Sequence, residues 1–345
     1  MISPDPVLQP EGIPGHHVLA VPADVTAAEV RILAETRWRA CRKDDAGGLV
    51  VSKYSGLDGP FRLTDELSTQ IGFPPGLPRA FVATTLRERG DPPFPGASDP
   101  SGIARAFPDA LPIREEARVV DWLLAAARRL GGAVRLDHWG MVLIPRADAA
   151  IDLTVYSNLW LEPDAALTVV RSVAPEFRLA MDTHAWNGPA GAETRTVGAH
   201  ADQVRAISPW PVHASNALSD AGRRILHSEA DAHDAAALSR NPVLDRYAVV
   251  ADFGAAGTAW LEVCGGGAPP ALRTVAWTEL GVVAYALRWD PANPDDRLVE
   301  FPSRAQRAER AAAARTLGRL ALAVYSATGI EILDADGFPV DPADV

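Results

Sequence analysis

Imidazoles and carboxylates crowd one stretch of this 345-residue chain. Five of its eight histidines, His184, His200, His213, His227 and His233, fall there, accompanied by Asp182, Asp202, Glu229, Asp231 and Asp234. His227 and Asp231 lie four apart on a predicted helix over 219–238, as do Glu229 and His233, so each pair shares a helix face. Imidazole with carboxylate is a ligand set for zinc and related divalent transition metals. A metal-bound water would then serve as a hydrolytic nucleophile. His184, His200, His227, Asp231 and His233 are therefore the candidate ligands of a metal-dependent hydrolase, the alternative reading of the chain. His-Glu-x-x-His and paired-cysteine spacings are absent, and helical His–carboxylate pairs also arise as solvated surface contacts.

Tryptophan is the second anomaly, with nine residues against five tyrosines. Trp139 sits in a predicted turn, and Trp186 and Trp210 lie among Gly, Pro and His. Aromatic side chains at such positions suit ligand or partner contacts. Trp139, Trp186, Trp210 and His213 are the candidate binding residues of a non-catalytic protein. Asp334-Ala335-Asp336-Gly337 has the opening of a calcium loop but lacks its later ligands, and reads as a β-turn. Asp252-Phe253-Gly254 matches a kinase triplet without the lysine or catalytic loop that give it meaning. No nucleophile elbow, Walker loop or dinucleotide fingerprint occurs.

The elements that must position these residues follow from an internal repeat. Residues 115–145 align without gaps on 312–342, with nine identities in 31 positions. Average composition would give about two or three. The identities include Leu123/Leu320, Gly132/Gly329, Leu136/Leu333, Asp137/Asp334, Gly140/Gly337 and Pro145/Pro342. Each copy reads as helix, glycine stop, strand, tight turn, strand. Val120/Leu317, Leu123/Leu320, Leu124/Ala321 and Ala127/Val324 place the same apolar face on both helices. Arg118, Arg128, Arg129, Arg315 and Arg319 fall off that face. Gly132 and Gly329 are the expected left-handed helix stops. Thr26 with Glu29 forms a capping-box pattern at an earlier helix start, and Ser303 with Gln306 forms one at the start of the second repeat helix.

The spacing predicts an α+β protein of two similar halves, each a mainly antiparallel sheet with helices packed on one face. The N-terminal half spans 1–181, an irregular junction 182–216, and the C-terminal half 217–345. Strands are expected over 17–21, 49–53, 80–86, 151–161, 177–181, 247–253, 259–264, 272–277 and 282–289. The stretch 90–112, rich in Pro and Gly, is expected to be a long loop, and 61–71 a short helix or irregular segment.

Composition narrows the function classes. A net charge of −11 repels phosphate backbones, which argues against nucleic acid. It suits a basic protein partner. Two cysteines make no disulfide framework and fit a reducing, cytoplasmic setting. No basic region followed by an apolar run opens the chain, and no apolar stretch has membrane-spanning length. The resulting expectation is a soluble, non-catalytic binding or protein-interaction protein, inhibitor- or immunity-like, needing no cofactor.

Overall fold

Antiparallel pairing dominates the computed structural model, which describes residues 5–45, 47–95, 99–137, 140–180, 228 and 246–345. Residues 5–180 and 246–345 belong to one compact unit.

The first sheet is built from β1 His17–Val21, β2 Arg42–Lys43, β3 Leu49–Val50, β4 Gly56–Arg62, β5 Arg79–Thr84, β6 Ala133–Arg135 and β7 Val142–Leu143, in the spatial order β2-β3-β4-β5-β1-β6-β7. The second contains β8 Leu153–Ser157, β9 Arg178–Leu179, β10 Arg246–Asp252, β11 Thr258–Gly266, β12 Val282–Asp290, β13 Glu331–Asp334 and β14 Pro339–Val340, in the order β14-β13-β8-β12-β11-β10-β9. Every neighbouring pair is antiparallel. Read from opposite ends, the two orders match strand for strand, β1 with β8 through β7 with β14. The helices keep the same places. α1 Ala27–Arg37 follows β1 as α5 Pro163–Arg171 follows β8, and α4 Arg114–Leu130 precedes β6 as α6 Arg304–Thr328 precedes β13. The first half adds α2 Asp65–Ile71 and the single turn α3 Ile103–Ala106. The repeat visible in the sequence is thus the tail of a longer duplicated unit, β-α-β-β-β-β-α-β-β. The sheets part between β7 and β8, so β8, α5 and β9 belong to the second.

Local chemistry explains the elements. Thr26 Oγ1 accepts the Glu29 amide at 3.2 Å while Glu29 accepts the Thr26 amide at 2.7 Å, closing a capping box on α1. Ser303 and Gln306 do the same for α6, at 3.2 and 2.7 Å. The shared helix faces are buried as the spacing predicts: Val120, Leu123, Leu124 and Ala127 on α4, Leu317, Leu320, Ala321 and Val324 on α6. The α4 glycine stop differs from the sequence expectation. Gly131, not Gly132, takes the left-handed cap, with φ 65°. Gly132 is needed because a Cβ there would collide with the Ala20 carbonyl of β1. In the second copy Gly329 itself is the cap, with φ 42°.

The α1–α4 side of the first sheet holds one core, and α5 and α6 cover the second sheet with another. Leu63, Leu67, Phe73 and Leu77, from α2 and its flanks, pack on the opposite face of the first sheet. Trp122 lies off the predicted stripe yet is fully buried. It donates to the Leu33 carbonyl at 3.0 Å and meets Trp38 edge-on at 5.2 Å, because α1 packs on that side of α4. The expected strand 272–277 is instead two short helical turns, Pro270–Leu272 and Ala276–Thr278, with Thr278 Oγ1 bonded to the Leu272 and Val275 carbonyls. Among the described residues no helix is long and apolar enough to cross a membrane.

Candidate functional site

The two copies of the repeat meet at one point. In the second copy Asp334 Oδ1 accepts the Asp336 and Phe338 amides at 3.0 and 2.9 Å, which locks the β13–β14 turn. That carboxylate is therefore spent on backbone geometry, as the β-turn reading of this tetrapeptide expects. Burial pushes its pKa up, against the bonds from the Phe338 and Asp336 amides and the attraction of Arg129. The locked turn points Asp336 and Phe338 at the first half. Asp336 forms an ion pair with Arg128 near the end of α4, Arg129 reaches the Pro339 carbonyl at 3.3 Å, and Phe338 is buried within the first core.

Cavities open on both sides of the Arg128–Asp336 pair. The larger, about 1010 Å³, is a cleft between the end of α4, the linker before β8 and the exposed side of α6. Its polar wall carries Arg129, Arg315 and Arg319, and its apolar wall Ile151, Leu153 and Val340. Arg315 and Arg319 are exposed, one turn apart on α6, and neither has an ion-pair partner among the described residues. The smaller cavity, about 360 Å³, is lined by Asp148, Asp152, Arg297 and Arg310 together with Arg128 and Asp336. Most of its charges are matched: Arg146 with Asp148 at 2.9 Å, Arg297 with Asp290 at 2.8 Å, and Arg128 with Asp336. Asp152 accepts the Trp289 amide at 3.2 Å. Burial raises its pKa, opposed by that hydrogen bond, Arg297 and Arg288.

A second polar network lies under the other end of α4. Glu116 Oε2 accepts the Glu88 amide at 2.8 Å and Arg89 Nε at 2.9 Å, and His17 Nε2 lies 3.4 Å from Oε1. His17 Nδ1 accepts the Asp137 amide at 3.1 Å, so the imidazole proton sits on Nε2, facing Glu116. The Arg89 guanidinium lies over the Phe107 ring, 4.3 Å from its centre. Burial works against the Glu116 carboxylate, but His17, the Glu88 amide and Arg89 together outweigh it and hold its pKa below the ordinary value. A histidine beside a glutamate resembles half of a nucleophile-activating set. Here both are almost wholly buried and their contacts are structural.

Trp139, Trp186, Trp210 and His213, and the metal candidates His184, His200, His227, Asp231 and His233, lie outside the described residues. Among the described residues no three His, Cys, Asp or Glu side chains are grouped to hold a metal ion. The junction arginines were visible in the sequence only as positions off the apolar stripe. His17, Arg89 and Glu116 gave no signal, since the fold unites them across a large separation in the chain. Comparison with known proteins finds no family model, no curated protein and no solved structure that matches this chain.

Proposed function

We propose that this chain is a non-catalytic protein-interaction protein of the cytoplasm, inhibitor- or immunity-like, whose partner docks in the larger junction cleft. The observation that carries the reading is the pair Arg315 and Arg319, exposed on one face of α6 and unpaired among the described residues, at the wall of a cleft between duplicated halves. Clefts between packed modules are favoured binding locations. Arginine forks recognise carboxylates with two parallel hydrogen bonds. The apolar wall opposite them supplies area for desolvation. The net charge of −11 favours a basic partner at long range. At this cleft the same partner has to present an acidic side chain.

The test compares two baits in native lysate, the wild-type chain and an Arg315→Glu/Arg319→Glu double variant. Both positions are exposed, so the variant is expected to fold with little change in stability. A stoichiometric partner held by the wild type and lost by the variant supports the reading. An identical set of retained proteins on both baits, or none on either, overturns it.

A further inference from the structure

Arg310 stands apart in the charge pattern of the smaller cavity. It is only 5% exposed, on the buried side of α6, and it lines that cavity. Among the described residues its one hydrogen bond runs from Nη2 to the Asp296 carbonyl oxygen, Nε and Nη1 have no acceptor, and no carboxylate lies within ion-pair contact. The nearest acids are committed elsewhere. Asp148 Oδ1 accepts Arg146 Nε at 2.9 Å, and Asp296 Oδ1 accepts Gln306 Nε2 at 2.8 Å and Asn293 Nδ2 at 3.1 Å. Burial, with Arg146 adding like charge beside it, pulls the Arg310 pKa down, and the attraction of Asp148 and Asp296, neither in ion-pair contact, does not offset it.

Burying a cation without a counter-ion costs several kcal/mol, and a guanidinium offers five donors in a fixed fork. Three neighbouring arginines each have a carboxylate in ion-pair contact; among the described residues the most enclosed one has none. We propose that the cavity is a binding site for a small ligand bearing an oxyanion, a carboxylate or a phosphoryl group, which pairs with Arg310. The cavity volume of about 360 Å³ suits a small molecule and excludes a folded partner. Asp152, whose Oδ1 is held by the Trp289 amide, leaves its second oxygen to accept a hydroxyl or amino group of the same ligand. The site is separate from the Arg315/Arg319 cleft, and it stands or falls independently of the protein-partner reading.

The experiment is thermal unfolding of the full chain, titrated with phosphate, sulfate, acetate and succinate at constant ionic strength, for wild type, Arg310→Met and Arg310→Lys. A ligand selective for the folded state raises the unfolding temperature in a saturable way. Wild type is expected to respond. Arg310→Met, which removes an uncompensated charge while keeping the stem, is expected to unfold at the same or a higher temperature without anion and to lose the response. Arg310→Lys keeps a charge but loses the fork, and is expected to bind about tenfold more weakly. A response to the tetrahedral anions alone assigns a phosphoryl ligand, and one to the carboxylates alone a carboxylate ligand. No saturable response in wild type, or an equal one in either variant, overturns the proposal.

Discussion

Glu116 illustrates what a buried carboxylate does in this protein. Its oxygens are filled by the Glu88 amide, Arg89 and His17, and none is free for a substrate. Replacing it with Gln would set an amide N–H₂ group against the Arg89 guanidinium and leave that charge uncompensated. We expect Glu116→Gln to lower the unfolding free energy by about 3–5 kcal/mol at neutral pH, measured by urea denaturation. The sign with pH follows from the lowered pKa. The folded state holds the proton less tightly than the unfolded one. The stabilisation is therefore complete above the ordinary glutamate pKa and disappears as pH falls through the lower folded value. The gap between wild type and Glu116→Gln should narrow over that acidic window. A gap that stays constant would show that the charge is not what matters. Asp152 and Asp334, raised by burial, titrate in the opposite sense in both proteins and cancel from the comparison.

At the scale of elements, the two glycines after α4 separate two roles that one letter hides. Gly131 supplies a left-handed cap, and alanine there costs about 1 kcal/mol. Gly132 supplies room against the β1 backbone, where the obstructing atom is a carbonyl that cannot rotate away. Gly132→Ala should cost about 1–3 kcal/mol, more than Gly131→Ala, in equilibrium unfolding. The reverse order would contradict the packing of α4 on β1. The same pair shows how far the sequence could be read. Periodicity located α4, α6 and their buried faces, because one face of each rests on a sheet. It could not tell which of two adjacent glycines ends the helix, because the deciding contact comes from β1, far away in the chain. Strand β4 was missed for a related reason. Gly56, Gly59 and Pro60 break the alternation that marks a strand, and pairing with β3 and β5 overrides their poor propensity. The residues of the junction cleft were not legible in the sequence, since an arginine off an apolar stripe reads the same whether it faces bulk water or a cavity.

For the whole molecule, the duplication is not a mirror of equal parts. Phe338 of the second half is buried in the core of the first, while its counterpart Met141 packs against that same core. No described first-half residue enters the second core in return. Removing Phe338 therefore injures the half to which it does not belong by sequence. We expect Phe338→Ala to cost about 3–5 kcal/mol. The loss should appear in the fluorescence of Trp38 and Trp122, which lie in the first core, as much as in that of Trp289 in the second. Unfolding of the halves in separate steps, with the first-half signal untouched, would contradict the interlock.

This one-way interlock also sets an order for synthesis. More than two hundred residues separate α4 from the ring that plugs the space beside it. A ribosome that has already released the first seven strands has made a body whose interior still lacks its last piece. Until Phe338 emerges, that body has to wait with an apolar gap open to water, a state that suits chaperone capture.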